Sequence, residues 1–120
     1  MKELRIEKET KGKVHLLHLV GSLDMHYFPI LERQIKNLFQ QGAYRIVLDC
    51  READYVSSAG LGALVGFARE AREHDGDVRL VNLSQNTCQI MELLGFTKVL
   101  QTYNNLNLAI TSFTKLPGAP

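Results

Sequence analysis

The residues best suited to chemistry lie in one short segment, YVSSAGLG, where two adjacent hydroxyls precede a run rich in glycine. Ser57 or Ser58 is a natural N-cap for a helix that starts there. A phosphate on either serine would lie beside unpaired N–H groups and the positive end of the helix dipole. Judged from the residue types alone, capping is the favoured role of these serines.

The same helix would contain Gly60, Gly62 and Gly66. Each glycine costs about 1 kcal/mol relative to alanine inside a helix. Three in one helix indicate either close packing on a sheet or a surface that another backbone approaches.

Enzyme motifs fit this segment poorly. The glycines spell G-x-G-x-x-x-G, one residue off the dinucleotide fingerprint, and they follow the strand that ends at Cys50 by about ten residues. The Gly-Lys-Ser/Thr of a phosphate-binding loop is absent from the sequence. A nucleophile elbow needs glycine two residues before its serine, and Val56 holds that place before Ser58.

The other candidate groups are scattered along the chain. His15 and His18 lie three apart on a predicted strand, so they point to opposite faces and form no metal or catalytic pair. Cys50 and Cys88 are not C-x-x-C, and buried, inert thiols are expected. The sequence therefore predicts that the protein is not an enzyme and has no cofactor and no metal site.

Three carboxylates are predicted at or just after strand ends: Asp24, Asp49 and Asp54. Ligands gather at the carboxyl ends of strands in open α/β sheets, so these residues are candidates for ligand binding, with turn capping as the alternative role.

Composition narrows the class of protein further. The 120 residues suit one domain, and 14 Lys+Arg against 13 Asp+Glu exclude a strongly basic nucleic-acid footprint. No apolar run approaches the roughly 18 residues of a membrane span. The charged start is unlike a signal peptide, and two cysteines suit a reducing cytoplasm. We therefore expect a cytoplasmic protein without direct nucleic-acid or membrane contact.

The elements that would position the serines follow from hydrophobic periodicity. Strands are predicted at Leu4–Glu9, Val14–Val20, Arg45–Cys50 and Val78–Val81, with a short extended piece at Phe96–Leu100. Helices are predicted from Tyr27 to about Gln41, then at Ser58–Glu73, Ser84–Leu94 and Leu106–Thr114.

This order predicts an α/β fold, an open mixed sheet whose first strand is antiparallel and whose other strands are mainly parallel, with packed helices. Residues 51–56 are predicted to be a loop. In the second helix, Leu61, Leu64 and Val65 are expected to face the core. In the third, Ile90, Leu93 and Leu94 are expected to point inward, with Gly95 as the C-cap.

Taken together, four motifs resemble the anti-sigma factor antagonists, the bacterial STAS-domain proteins. The motifs are GSLD at 21–24, IVLD at 46–49, VSSAGLG at 56–62 and LLGF at 93–96. The likeness runs from about Leu4 to Thr114. It implies a single STAS domain over residues 1–114. The residues after it, which include Leu116-Pro-Gly-Ala-Pro120, are predicted to form a flexible tail at 115–120.

The resemblance implies a regulatory switch rather than an enzyme. Family members of this kind are phosphorylated on a serine that aligns with Ser58. An anti-sigma factor that is also a serine kinase adds the phosphate, and a metal-dependent serine phosphatase removes it. The unphosphorylated protein sequesters the anti-sigma factor and frees a sigma factor for transcription. The residues implied in partner binding are Asp24, Ser57, Ser58, Ala59, Gly60, Leu61 and Gly62.

The sequence departs from the family pattern beside the site. Ser57 stands where the family usually has Asp, and Ala59 where Ser or Thr is common. Ser57 therefore remains an alternative phosphorylation site. A STAS scaffold or sensor component that is not phosphorylated is the alternative function. A small enzyme or nucleotide-binding protein that uses Asp24 and the Gly60–Gly62 turn is a third hypothesis, disfavoured by the absence of a base, a metal cluster or a phosphate loop.

Overall fold

A computed structural model describes residues 3–115 of the chain. A five-stranded sheet of order β1-β2-β3-β4-β5 forms its centre, with β1 antiparallel to β2 and every other neighbouring pair parallel. The strands are β1 Arg5–Lys11, β2 Val14–Leu23, β3 Arg45–Val56, β4 Asp77–Val81 and β5 Thr102–Tyr103. The helices are α1 Phe28–Gln40, α2 Ser58–Arg72, α3 Gln85–Leu93 and α4 Leu106–Thr111, with 3-10 turns at Phe96–Lys98 and Ser112–Lys115. The predicted fold class and element order are confirmed.

The two faces of the sheet carry separate cores, because successive strand residues point to opposite sides. The larger core lies under α1, α2 and α3 and includes Leu17, Ile35, Leu48 and Leu64. The smaller core lies under α4 and the last turn; its buried members are Val14, Leu16, Val47, Val81, Ala109 and Phe113. The short α4 covers part of the second face, and Glu7 and Glu9 of β1 border the part beside Leu106 of α4.

Strand β3 is longer than predicted. The expected loop at residues 51–56 is wrong, because these residues continue to pair with β2 up to Leu23↔Val56, with register shifts on the way. The charged residues of this stretch are exposed, which gave it the composition of a loop. Asp49 and Asp54 consequently lie within the strand and not at its end.

The third helix turns a different face inward from the one predicted. Leu93 is 85% exposed and Leu94 53%, whereas Thr87 and Met91 are buried; Ile90, also expected to point inward, is half-buried. Thr87 can point inward because its hydroxyl accepts a hydrogen bond from Ser84 Oγ at 2.9 Å. A pattern that counts only apolar residues misses a satisfied polar residue of this kind.

Three smaller expectations also change. The extended piece expected at Phe96–Leu100 is a 3-10 turn, which follows Gly95 at φ +78, and the next strand begins at Thr102. Cys50 is buried as expected, but Cys88 is exposed. Of the tail predicted at 115–120, only Lys115 belongs to the described residues, at the end of the last turn.

No helix within residues 3–115 is long and apolar enough to cross a bilayer.

Candidate functional site

The loops that follow β2 and β3 lie side by side. Leu23 pairs with Val56 at the ends of these parallel strands, and the N–H of Ser57 donates to the Leu23 carbonyl at 2.9 Å. The chain therefore brings Asp24 and Ser58 to the same end of the sheet, Asp24 directly after Leu23 and Ser58 two residues after Val56. The sequence places both residues in candidate motifs, and the pairing of the strands explains why they share one region.

The two adjacent serines have different environments. Ser57 is the N-cap of α2: it is half-buried, and its Oγ accepts a hydrogen bond from Gly60 N at 2.9 Å. Ser58 is the first helical residue, and its side chain is exposed. The cap therefore engages the hydroxyl of Ser57, while the hydroxyl of Ser58 faces solvent.

The start of α2 favours a negative charge. The first N–H groups of a helix have no intrahelical carbonyl partner, and the helix dipole adds positive potential there. The first turn of α2 contains no acidic residue. A phosphate at this end of α2 would therefore be stabilised by the helix without repulsion from a carboxylate in that turn.

Asp24 is held in place by its own loop. Its Oδ1 accepts hydrogen bonds from the N–H groups of His26 and Tyr27, each at 3.0 Å, and its carbonyl accepts from Phe28 N at 2.8 Å. The half-buried carboxylate thus caps the turn that leads into α1. This is the structural role that the sequence offered as an alternative to ligand binding.

The glycine-rich segment divides into buried and accessible residues. Gly60 and Leu61 are buried, and a Cβ on Gly60 would lie 3.2 Å from the Leu23 carbonyl, so close packing explains this glycine. A Cβ on Gly62 would lie 3.8 Å from the Phe96 ring, and one on Gly66 would meet nothing within 4 Å. Gly60 and Leu61 can therefore influence a partner only by positioning α2, whereas Ser58 and the exposed Ala59 can touch it.

Replacing Ser57 with alanine is expected to lower the free energy of unfolding by about 1 kcal/mol, because the helix loses its capping acceptor. Ser58→Ala is the matched control, since its exposed hydroxyl should contribute no more than about 0.5 kcal/mol. Urea denaturation at neutral pH measures both values. Equal losses in the two variants would contradict the assignment of Ser57 as the cap.

The contact between His18 on β2 and Asp49 on β3 was not predicted. The two residues are 31 positions apart, and no motif in the sequence connects them. His15 and His18 do lie at odd spacing on one strand, as the sequence indicated. Among residues 3–115, no three His, Cys, Asp or Glu side chains are grouped so that they could hold a metal ion.

Comparison with known proteins gives a consistent result. The family model of the STAS domain matches residues 5–109. The chain is 32% identical over 88 residues to BtrV of Bordetella bronchiseptica, which is assigned as an anti-sigma factor antagonist; the match covers 72% of this chain and 76% of BtrV.

Solved structures share the same fold. An anti-sigma factor antagonist from Mycobacterium paratuberculosis matches with a TM-score of 0.83 at 22% identity, over 94% of this chain and 96% of the other. The Bacillus cell fate determinant SpoIIAA, in its phosphorylated form, matches with a TM-score of 0.67 at 22% identity, over 91% and 97% of the two chains.

Proposed function

Because the chain belongs to the STAS domain family and to its anti-sigma factor antagonists, we propose that it is a binding switch controlled by phosphorylation of Ser58. The unphosphorylated protein binds an anti-sigma factor and thereby releases a sigma factor for transcription. The partner is itself a serine kinase. Its phosphorylation of the bound chain ends the complex, and a metal-dependent serine phosphatase restores the binding form.

The observation that carries this proposal is the exposed hydroxyl of Ser58 at the first position of α2, directly after a cap supplied by Ser57. A kinase must reach the hydroxyl that it modifies, and Ser58 offers that access without loss of the cap. The solved phosphorylated form of SpoIIAA, whose fold this chain shares, is consistent with a switch of this chemistry.

The proposed contact surface consists of the accessible residues around this hydroxyl. Ser58 and Ala59 are exposed and Gly62 is half-buried, so a partner can approach the first turns of α2 closely. Asp24 lies in the adjacent loop and is fixed by its hydrogen bonds to His26 and Tyr27. The buried Leu61 anchors the helix from below. In this role the chain regulates a partner and catalyses no reaction of its own.

Phosphate transfer tests the proposal. The purified chain is incubated with ATP and the anti-sigma factor kinase from the same organism, and the modified residue is mapped by mass spectrometry. We expect one phosphate, on Ser58 in the wild type and in Ser57→Ala, and none in Ser58→Ala. If the Ser58→Ala variant is phosphorylated on Ser57 at the wild-type rate, the assignment of Ser58 is wrong and Ser57 is the phosphorylation site.

A second function has one observation in its favour. Ser57 replaces the family's usual acid, and the first turn of α2 contains no carboxylate for a kinase to recognise. The alternative is therefore a STAS scaffold or sensor component that binds a partner without being phosphorylated. Stable partner binding combined with no phosphate on either serine would favour this alternative.

A further inference from the structure

A chain of polar contacts crosses the sheet on the face that α4 partly covers. The Glu9 carboxylate on β1 lies 3.0 Å from His18 Nε2, and His18 Nδ1 lies 2.8 Å from the Asp49 carboxylate on β3. Asn82, just after β4, donates to the other Asp49 oxygen at 3.1 Å. The backbone N–H of Arg51 also donates to Asp49, at 3.1 Å. One imidazole therefore joins the edge strand to the middle of the sheet.

The arrangement is complete only when His18 is charged. A neutral imidazole carries one N–H and can donate from one ring nitrogen, whereas imidazolium donates from both. Both ring nitrogens of His18 face carboxylate oxygens, which only accept when ionised. Loss of the proton must therefore leave either Glu9 or Asp49 facing a lone pair.

The surroundings support the charged form. Burial disfavours the charge of His18, but its hydrogen bonds to Glu9 and Asp49 outweigh burial and raise the pKa of His18 above its ordinary value of 6.5. The hydrogen bond to His18, together with the hydrogen bond and charge of Lys11, lowers the pKa of Glu9. Burial raises the pKa of Asp49, yet its bonds to His18, Asn82 and Arg51 lower it overall.

The neighbouring charges are mixed. His18 borders an open cavity of about 470 Å³, to which β1 contributes charges of both signs, β3 does the same, and α4 contributes the apolar Leu106. The charged groups that line it with His18 are Glu7, Lys8, Glu9, Asp49, Arg51 and Glu52. Of these, Glu9 and Asp49 are the groups within hydrogen-bond distance of the imidazole.

The two halves of β1 are attached differently. Leu4, just before the strand, is buried and Ile6 is half-buried, so apolar packing holds the first half. Residues 8–11 are all exposed, and within the described part of the chain β1 is an edge strand that pairs with β2 alone. Glu9 connects the second half to β2 through its contact with His18 at 3.0 Å, and it also pairs with Lys11 of its own strand at 3.2 Å.

We propose that His18, Glu9 and Asp49 form a protonation-dependent clasp. While the imidazole of His18 is charged, the clasp holds the second half of β1 on the sheet, and when His18 loses its proton this end of the hairpin is free to separate. The direction with pH follows from linkage. The raised pKa of His18 means that its contribution is complete below about 6.5 and is lost as pH rises through the higher folded value. The lowered pKa values of Glu9 and Asp49 preserve the clasp until acid protonates the carboxylates.

NMR and hydrogen exchange on the intact wild-type chain test the clasp. We expect the imidazole signals of His18 to titrate with a midpoint above 6.5. Protection factors of those amides in residues 8–11 that donate to β2, corrected for the intrinsic pH dependence of exchange, should fall about tenfold across that midpoint. Amides of the central strand β3 should keep constant protection over the same range.

Variants separate the clasp from general effects of pH. In His18→Gln the protection of residues 8–11 should no longer depend on pH, whereas His15→Gln, which removes a histidine of the same strand, should behave as the wild type does. Glu9→Gln changes an exposed side chain, so it should fold and should lower the His18 midpoint. A wild-type midpoint at or below 6.5, or a constant ratio of β1 to β3 protection through the titration, would overturn the proposal.

Discussion

Phosphorylation of Ser58 is expected to weaken binding of the anti-sigma factor about a hundredfold while the fold of the chain stays intact. The phosphate adds about −1.5 to −2 charges at neutral pH. At the start of α2 that charge is favourable by roughly 0.3–1 kcal/mol, so the free protein should unfold at nearly the same temperature as before. The phosphate on Ser58 must therefore act mainly on the interface with the anti-sigma factor.

The size of the loss follows from desolvation. A hydrated dianion on an exposed first-turn residue must be stripped of water or accommodated when a partner covers it. A penalty of about 3 kcal/mol corresponds to a roughly hundredfold weaker complex, since about 1.4 kcal/mol is tenfold. Isothermal titration calorimetry of the two forms against the partner measures it. Ser58→Asp should show part of the loss, because its single charge is smaller and closer to the backbone.

The chain supplies a matched charge control. Ser84 is the N-cap of α3, and an Asp there can still accept from Thr87 N while the Thr87 hydroxyl turns to donate to it, so Ser84→Asp places one negative charge at another helix start and keeps the cap. We expect its affinity for the partner to equal that of the wild type. Equal weakening by Ser58→Asp and Ser84→Asp would show that net charge, and not the position of Ser58, controls binding. Undiminished binding by the phosphorylated chain would refute the switch itself.

The periodicity of the sequence predicts most elements because apolar residues decide which face of each is buried. It predicts α1 well, where Phe28, Leu31 and Ile35 are all buried. It fails at residues 51–56, where the backbone ladder with β2 continues although the side chains are exposed and charged. Pairing of this kind depends on the neighbouring strand and leaves no local signal.

The candidate site was predictable by motif but not in detail. Ser57 and Ser58 are equally good caps by residue type, and only the starting point of α2 makes Ser57 the cap and leaves Ser58 exposed. The pairing of His18 with Asp49 depends on the register between β2 and β3. Nothing within a short window of the sequence carries that information.

A cluster of buried charges at the C-terminal end of α2 is expected to contribute strongly to the stability of the fold. Asp77 is 3% exposed and accepts from Arg72 Nε at 3.0 Å, Arg79 Nε at 2.9 Å and Val78 N at 2.9 Å. Arg79, 8% exposed, also donates to the Ser112 hydroxyl, and its guanidinium lies 4.3 Å from the centre of the Phe113 ring. The Asp77 carboxylate thus links α2 to β4, and Arg79 extends the cluster to the last turn.

We expect Asp77→Ala to lower the free energy of unfolding by about 3–5 kcal/mol, because it leaves the buried Arg79 without a counter-charge. Urea denaturation measures the loss. Glu70→Ala removes an exposed carboxylate of α2 and should change stability by less than about 0.5 kcal/mol. Adding Arg79→Met to Asp77→Ala should recover part of the loss, since the uncompensated charge is then gone. A loss below about 1 kcal/mol would contradict the importance of the cluster.

The same variant separates stability from recognition. Arg72 is the last residue of α2 and Ser58 the first, so the Asp77 cluster fastens the far end of the helix that carries the proposed phosphorylation site. Because the cluster lies away from the accessible first turn, partner affinity and phosphate transfer should be unchanged at temperatures where Asp77→Ala remains folded. Ser58→Asp should give the opposite pattern, with weak binding and normal stability. An Asp77→Ala protein that is fully folded yet binds weakly would indicate that the orientation of the whole helix sets the interface.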